Sequence, residues 1–422
     1  MSHTVSFKET FRYWLKLGFI SFGGPTGQIA IMHKNLVEER KWISEDHFLQ
    51  ALNFCMLLPG PEAQQLATYI GWLMHKTWGG IVAGVLFVLP SVFILWGLSW
   101  LYASLGNVPS VEALFYGLKP AVAAIVAEAV IRIGKKSLKS GLLVFLASLS
   151  FTGIYFLKVP FPLIVLSAGI IGYVSAKFSN SKTAKADIIE SPSSEKPSWS
   201  RSLMVLIIWL CIWFMPLIFI GLWRGWSDTF IDIGVLFSKS AVVTFGGAYA
   251  VLAYIGQQAV SHYHWITPEQ MIDGLGLAET TPGPLIMVNQ FVGYLAGYHH
   301  AKGIAPAFAG MIGGFIATWV TFAPSFLWIL LGAPFIERLR SHHRLNSALG
   351  AITAAVVGVV LSLAVTFSGH VLFPDSGGFD LFALIAAVTA FTGMIYFKWG
   401  MIPVIICSAA AGFAWKMILQ GN

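Results

Sequence analysis

Charged residues are scarce in this chain. Asp, Glu, Lys and Arg make up 11% of its 422 residues, and the mean hydropathy is +0.74. Soluble domains carry about 25% charged residues. Apolar tracts of the roughly 20 residues that cross a bilayer recur at 81–102, 203–223, 304–331 and 346–367. These features exclude a soluble core and predict an all-α integral membrane protein.

Cysteine and metal-binding motifs are also sparse. The three cysteines, Cys55, Cys211 and Cys407, lie far apart and inside apolar tracts, which predicts neither disulfides nor a zinc site. The histidine pairs occur in predicted loops without acidic or cysteine companions. No nucleophile elbow, Walker loop or zincin signature stands in a suitable context. The sequence therefore predicts no metal, no cofactor and no enzymatic activity.

Acidic residues are fewer than basic ones, which gives a net charge of +7. The Lys and Arg residues fall mainly in short loops between apolar tracts, where they indicate membrane topology. We therefore expect a lipid bilayer, and no nucleic acid, as a partner of this chain.

One stretch, residues 178–202, is polar, of low complexity and rich in Ser and Pro. It is too polar to bury and is predicted to be a disordered cytoplasmic linker. It divides the chain into an N-terminal repeat at 1–177, a connecting transmembrane helix at 203–226 and a C-terminal repeat at 227–422.

Three short motifs recur after the linker at one offset of 223 residues. Phe22-Gly23-Gly24 returns as Phe245-Gly246-Gly247, Trp42-Ile43 as Trp265-Ile266, and Pro59-Gly60-Pro61 as Pro282-Gly283-Pro284. With gaps, Pro90-Ser91 matches Pro324-Ser325, and Phe151-Thr152-Gly153 matches Phe391-Thr392-Gly393. A shared offset across several motifs indicates an internal duplication.

Equivalent loops carry opposite charge bias in the two halves. Residues 33–47 contain Lys34, Arg40 and Lys41, whereas residues 255–273 contain no Lys or Arg. In two later pairs of equivalent loops, one loop again carries Lys or Arg residues and its counterpart in the other half carries none. Because short cytoplasmic loops accumulate Lys and Arg, the halves are predicted to be inverted-topology repeats. Loop 33–47, the N-terminus and the linker are then cytoplasmic.

The glycine and proline motifs are predicted to break membrane helices. If loop 33–47 and Lys76 lie on one side, residues 48–74 must turn back at Pro59-Gly60-Pro61, because neither arm has the ~20 residues needed to span. The same argument applies to Gly23-Gly24-Pro25 and to the motifs of the second half. The predicted architecture has nine full spans and four re-entrant broken-helix hairpins.

A break at membrane depth exposes backbone N–H and C=O groups, which must then line a polar cavity. Proline suits the first turn of the arm that follows, and the helix N-terminus there attracts anions through its dipole. Glycine lets an anion approach the backbone closely. The break residues predicted to bind substrate are Gly23, Gly24, Pro25, Pro59, Gly60, Pro61, Gly246, Gly247, Pro282, Gly283 and Pro284.

Four amide side chains near the breaks are further candidates for binding substrate oxygens, namely Gln28, Gln65, Asn289 and Gln290. For each amide, hydrogen bonding between helices is the alternative role.

Two lysines are candidates to supply full positive charge. Lys16 and Lys239 each lie six residues before the Phe-Gly-Gly motif of their half. A dianion needs such charges as well as dipoles, because the desolvation of a charged group is costly. The alternative is that each lysine extends its ammonium group to the membrane surface.

Two carboxylates next to the breaks are candidates for proton coupling. Glu62 directly follows Pro59-Gly60-Pro61, and Glu279 precedes Pro282. Buried carboxyl groups can titrate near neutral pH. For Glu62 the alternative is a carboxylate that favours the dipole at a helix start. Glu128 and Arg132 are spaced for an ion pair on one helix.

The motifs Phe22-Gly23-Gly24-Pro25, Pro59-Gly60-Pro61-Glu62, Phe245-Gly246-Gly247 and Thr281-Pro282-Gly283-Pro284 resemble those of the two-domain chromate ion transporter family. The resemblance covers essentially the whole chain except the linker. It implies a multi-pass protein of the bacterial plasma (inner) membrane that exports chromate, with protons as the coupling ion.

Two other functions stay open at this point. Sulfate is a related tetrahedral dianion, so a sulfate uptake transporter is one alternative. A passive anion channel is the alternative from another class of protein. Whether the protein forms a homodimer is also left open by the sequence.

Overall fold

A computed structural model describes residues 5–106, 108–178, 199–335, 343–374 and 377–420. Within these ranges the chain is helical and contains no strand, which confirms the all-α class. The first half contains α1 (Phe7–Ile20), α2 (Gly24–His33), α3 (Glu45–Cys55), α4 (Glu62–Leu105), α5 (Pro109–Ser137), α6 (Gly141–Tyr155) and α7 (Phe161–Phe178). After α8 (Trp199–Arg224), the second half contains α9 (Thr229–Val243), α10 (Ala248–Gln257), α11 (Pro268–Thr280), α12 (Val288–His300), α13 (Pro306–Gly332), α14 (His343–Leu372), α15 (Leu381–Tyr396) and α16 (Met401–Gln420).

The predicted linker falls mostly outside the described residues. Residues 179–198 are not among them, and α7 continues to Phe178. The connecting helix α8 begins at Trp199, earlier than the predicted start at 203, and ends at Arg224. The segment 199–202 is therefore the first turn of a helix.

The order of helices in the first half recurs in the second. α1, α2 and α3 correspond to α9, α10 and α11, and a π-helical turn follows both α2 and α10, at Lys34–Glu39 and Gln258–His262. α4 corresponds to α12 and α13 together, because its helix is interrupted at His75 (φ −137°, ψ 31°) and Lys76 (φ 54°, ψ −146°). These two residues form an elbow between a first arm, 62–74, and a second arm, 77–105.

Small residues pack the two arms of α4 against each other. A Cβ on Gly71 would collide with the carbonyl oxygen of Gly79, and a Cβ on Gly79 with that of Gly71. In the second half, Gly293 of α12 meets Gly313 of α13 in the same reciprocal way. Close backbone approach through small residues is common between membrane helices. Each half therefore contains a helical hairpin whose arms lie side by side.

The first half contains two broken-helix hairpins, α1–α2 and α3 with the first arm of α4. Their outer ends, which lie away from the breaks, are all on one side. At the end of the first hairpin, Arg40 lies 3.6 Å from Glu9 at the start of α1. At the end of the second hairpin, the His75 Nε2 lies 3.0 Å from Thr10 Oγ1, also at the start of α1. α1–α2 and α3 with the first arm of α4 therefore enter and leave on the same side, as a re-entrant arrangement requires.

The second half has the same arrangement of ends. Thr229 at the start of α9 donates to the carbonyl oxygen of His300 at the end of α12 (3.3 Å). Arg224, just before α9, donates to the carbonyl of Lys302 (2.6 Å). The start of the first hairpin and the end of the second are therefore neighbours here too.

Six of the described helices are long and apolar enough to cross a membrane, rather than the nine predicted. They are Glu62–Leu105, Pro109–Ser137, Trp199–Arg224, Pro306–Gly332, Arg344–Leu372 and Met401–Ile418. The other three apolar helices, Gly141–Tyr155, Phe161–Ala176 and Leu381–Tyr396, are shorter. At 1.5 Å per residue a 15-residue helix reaches ~22 Å, which is less than the hydrocarbon thickness of ~30 Å.

The two short helices α6 and α15 end in the same way. Lys158 and Lys398 both adopt positive φ (54° and 56°). The next residue then donates its N–H to a carbonyl of the last turn, from Val159 to Gly153 (3.0 Å) and from Trp399 to Gly393 (3.1 Å). This left-handed cap terminates a helix, and it explains why the apolar sequence does not continue as a longer span.

Candidate functional site

Four helix N-termini meet at one small cavity. They are the starts of α2, α4 and α10 and the turn Leu285–Met287 that leads into α12. The cavity is lined by Pro25, Gln28, Pro61, Glu62, Ala63, Gly247, Ala248, Pro284, Leu285 and Ile286. Its volume is about 10 Å³, enough for about one water molecule. Residues of all four predicted breaks therefore lie at one cavity.

None of these four N-termini has a side-chain cap. The residues that precede them, Gly23, Pro61, Gly247 and Pro284, make no capping hydrogen bond from their side chains. Of the helices that start away from the cavity, α5 and α13 also lack a side-chain cap, whereas six are capped, by Ser6, Ser44, Ser140, Asp228, Thr267 and Asp380. Free N–H groups at a helix start form a binding site for anions.

The breaks of the two halves bond to each other reciprocally. Gly60 N–H donates to the Thr244 carbonyl (2.8 Å), and Gly283 N–H donates to the Ser21 carbonyl (2.7 Å). Both donors and both acceptors are related by the offset of 223. Such an exchange of equivalent contacts is the property of a two-fold interface. The halves therefore meet at the breaks across a local pseudo-two-fold axis.

The serines of the Pro-Ser motifs also lie against the breaks of the opposite halves. Ser91 of α4 donates its hydroxyl to the carbonyl oxygen of Pro282. Its counterpart, Ser325 of α13, has its hydroxyl 2.7 Å from the place where a Cβ on Gly60 would stand. The long helices α4 and α13 thus support the breaks of the opposite halves.

Two of the predicted amides hold the breaks together. Gln28 donates its Nε2 to the carbonyl of Gly283 (2.5 Å), and its buried Oε1 has no partner among the described residues. Gln65 donates to the carbonyl of Pro59 (2.8 Å). Gln28 therefore links the first break of one half to the second break of the other, and it also lines the cavity.

Other predicted residues lie away from the cavity. Asn289 donates to Thr321 Oγ1 (3.1 Å) and Gln290 donates to the carbonyl of Val92 (2.7 Å), so both connect helices. Lys16 and Lys239 are exposed on α1 and α9 and do not line the cavity. The glycines Gly23, Gly24, Gly60, Gly246 and Gly283, with Pro59 and Pro282, shape the breaks behind the lining residues.

The acidic candidates occupy different positions. Glu62 lines the cavity at the start of α4. Glu279 is buried at the end of α11 and accepts a hydrogen bond from the OH of Tyr249 (2.5 Å), which lies in the first turn of α10. Glu128 and Arg132 form the predicted ion pair (3.3 Å), and both lie close enough to Glu279 to act on its charge.

Sequence reasoning missed the apolar part of the lining and one source of positive charge. The cavity wall is completed by Ala63, Ala248, Leu285 and Ile286, each within two residues of the end of a break motif. None of the described lining residues is Lys or Arg, but Lys136 at the end of α5 acts electrostatically on Glu62. No group of three His, Cys, Asp or Glu suited to a metal occurs within the part of the chain described here.

Comparison with known proteins gives the family of the chain. The family model described as chromate transporter matches residues 8–173 and 231–413. The chain belongs to the chromate transporter family. One match lies on each side of the predicted linker, in agreement with the duplicated helix order.

Three relatives illustrate the similarity. A chromate transport protein of Pseudomonas aeruginosa is 31% identical over 84% of this chain and 80% of its own. The chromate transport protein of Cupriavidus metallidurans is 26% identical over 96% of this chain and 92% of its own. An uncharacterized transporter of Bacillus subtilis is 28% identical over 157 residues, which are 79% of its length but 36% of this chain. That relative is therefore less than half as long. No solved structure matches the chain.

Proposed function

We propose that this protein exports chromate across a bacterial plasma membrane, coupled to protons. The observation that carries the proposal is the meeting of four uncapped helix N-termini at one cavity. Each such terminus contributes roughly half a positive charge. Relatives that share nearly the whole length of the chain are named chromate transport proteins, and chromate is a dianion that suits such a site.

The cavity in this conformation is closed to the proposed substrate. A space of about 10 Å³ holds about one water molecule, whereas chromate carries four oxygens around its metal. The substrate therefore enters only when the breaks separate. The bonds from Gly60 to Thr244 and from Gly283 to Ser21 are the contacts that such a separation would break.

Contacts along α4 support inverted halves. Its elbow at His75 lies beside the outer end of the first-half hairpins. Its middle reaches the second-half break through Ser91, and farther along Tyr102 bonds to Asp273, near the outer start of α11. The outer ends of the two halves thus lie on opposite sides of the breaks. Together with the reversed loop charges, this arrangement supports an inverted repeat.

The membrane potential favours export of a dianion. At an interior potential near −100 mV each charge is worth ~2.3 kcal/mol. A dianion therefore leaves the cell downhill by roughly 4.6 kcal/mol, or more than about a thousandfold in concentration. Uptake would require about two coupled protons merely to offset this term. The direction in the proposal follows from this balance.

Proteoliposomes containing the purified protein test the function. Labelled chromate and labelled sulfate are loaded in turn, and flux is measured with an imposed potential, with and without a pH gradient. Export predicts saturable chromate flux out of an inside-negative compartment that responds to the pH gradient. Sulfate accumulation driven by protons would favour the uptake transporter. Flux without saturation or proton movement would identify a channel, and protein-free liposomes provide the blank.

A further inference from the structure

A buried charged cluster lies apart from the cavity, between α11, α5 and α4. The Asp273 side chain is only 5% exposed. Its Oδ2 accepts a hydrogen bond from Tyr102 OH (2.9 Å) and lies 3.9 Å from Lys119 Nζ. Its Oδ1 is buried and has no hydrogen-bond partner in the described part of the chain. Neither Asp273 nor Lys119 belongs to the cavity lining.

The ion pair leaves the carboxylate incompletely stabilised. A separation of 3.9 Å is longer than the 2.7–3.2 Å of a direct N–H···O hydrogen bond, so Lys119 contributes mainly through its charge. An unpaired oxygen in a buried carboxylate is costly. A proton on Asp273 would neutralise the buried charge and so lower that cost. The geometry thus suits a group that alternates between an ionised form paired with Lys119 and a neutral form.

The surroundings select a proton over other cations. Lys119 from α5 and Tyr102 from α4 face the carboxylate, and Glu269 from α11 itself is the other charged group that acts on it. From α12, the ring of Phe291 lies 5.1 Å from that of Tyr102. A metal ion would require several anionic or neutral ligands and would be repelled by the ammonium group. A proton needs one carboxylate.

The position of the cluster relates it to the transport path. Asp273 and Glu279 are separated on α11 by ~9 Å of helix rise, and Gly276 between them packs on Leu118 and Val122 of α5. Asp273 is the one nearer the start of α11, and so nearer the segment 258–267 that precedes this helix within the predicted periplasmic loop 255–273. The position in the first half at the same offset is Gln50, so the duplication did not retain a carboxylate in both halves.

We propose that Asp273 is the proton-binding carboxylate of the transport cycle and that Lys119 is its counter-ion. On deprotonation the O–H bond breaks, the proton passes to water on the side of the 258–267 loop, and the carboxylate pairs with the Lys119 ammonium group. On protonation the pair separates. This inference rests on the proton coupling in the proposed function, and it assigns the coupled proton to Asp273 rather than to Glu62 or Glu279.

Proteoliposome measurements on Asp273→Asn test the inference. Wild-type protein is expected to show chromate flux that increases with a pH gradient. Asp273→Asn is expected to lose that increase and to retain exchange of labelled for unlabelled chromate, which needs no net proton movement. The matched control is Asp380→Asn, since Asp380 also accepts from a tyrosine, Tyr116 (2.8 Å), but caps α15. Asparagine is a good N-cap, so this variant should keep both activities.

A second variant separates a proton site from a structural ion pair. Lys119→Gln removes the cation that stabilises the ionised carboxylate, so Asp273 should hold its proton to higher pH. The pH profile of the proton-coupled chromate flux should therefore shift to higher pH, and a merely structural role would lower the rate at every pH without that shift.

Three results would overturn the assignment. The first is a pH-gradient response in Asp273→Asn equal to that of wild type, which would leave the proposed function standing. The second is loss of both exchange and coupling in well-folded Asp273→Asn, which would indicate a structural role. The third is a wild-type flux that ignores the pH gradient, which would overturn the coupling in the proposed function as well.

Discussion

Gly283 combines two constraints that other residues cannot meet. Its φ is +105°, and a Cβ would collide with the Ser91 hydroxyl. Its N–H also bonds to Ser21 across the pseudo-two-fold axis. Positive φ costs an L-residue roughly 1–2 kcal/mol, and the collision adds to that. Glycine at this position is therefore required by the meeting of the two halves.

We predict that Gly283→Ala lowers chromate transport at least about tenfold, since a loss of ~1.4 kcal/mol corresponds to a factor of ten. The added Ser91→Ala should restore only part of the activity, because it removes the collision and leaves the backbone strain. Transport in proteoliposomes is the measurement. Gly350→Ala, on a helix with open space around the Cβ, is the control. Unchanged transport in Gly283→Ala would contradict the role of the break.

The lysines Lys16 and Lys239 carry a separate prediction. Both are exposed on the helices that lead to the first break of each half. If they supply charge to the dianion when the cavity opens, Lys239→Gln and Lys16→Gln should each reduce transport at least about tenfold, equivalent to ~1.4 kcal/mol. Lys239→Arg should retain part of the activity because the charge remains.

Lys139→Gln, at an exposed loop position, is the control for the lysine variants, and chromate efflux from cells with matched expression is the measurement. Near-normal efflux in both Gln variants would show that these lysines extend to the membrane surface. The positive charge near the breaks would then come from the end of α5, where Lys136 and Arg132 act on Glu62 and Glu279.

At the scale of elements, the α4 elbow places the first arm of α4 against its second. The reciprocal contact of Gly71 and Gly79 leaves no room for a side chain. Without this contact, the first arm of α4 could not lead the chain from the break back to the side from which α3 enters. The equivalent contact between Gly293 and Gly313 does the same for α12 and α13.

Gly71→Leu is therefore expected to destabilise the protein, because overpacking a tight contact costs roughly 1–3 kcal/mol. The thermal midpoint in detergent, followed by size-exclusion chromatography, should fall. Gly97→Leu lies on the same helix in open space and should leave the midpoint unchanged. Equal midpoints for the two variants would argue against close packing of the arms.

At the scale of the whole molecule, the two halves share one helix order and differ in orientation in our proposal. The loop residues Glu39 and Ser261 are both exposed, and each follows the second helix of its half. In an inverted repeat they face opposite compartments.

Single cysteines at Glu39 and Ser261 should therefore react with an impermeant thiol reagent from opposite sides of the membrane. The background should carry Cys211→Ser and Cys407→Ser, because those two native cysteines are exposed and Cys55 is buried. Glu39→Cys should label in inside-out vesicles and Ser261→Cys in right-side-out vesicles. Labelling of both from one side would rule out the inversion.

Composition and motif spacing predicted much of this architecture. In lipid, an apolar tract of about 20 residues satisfies its backbone hydrogen bonds within itself as a helix, whereas the strands of a membrane barrel are about half as long, so the class followed from the hydropathy and length of the tracts. The glycine and proline motifs located all four breaks, because these residues disrupt helices through their own backbone restrictions. Local chemistry was sufficient for both conclusions.

Tertiary structure decided which residues share the cavity. Pro25, Glu62, Gly247 and Pro284 meet there, while Asn289 and Gln290 point to neighbouring helices, a distinction that depends on helix rotation. Likewise Asp273, Tyr102 and Lys119 are distant in sequence. Their contact exists only because α11 packs between α4 and α5, so periodicity within any one segment could not reveal it.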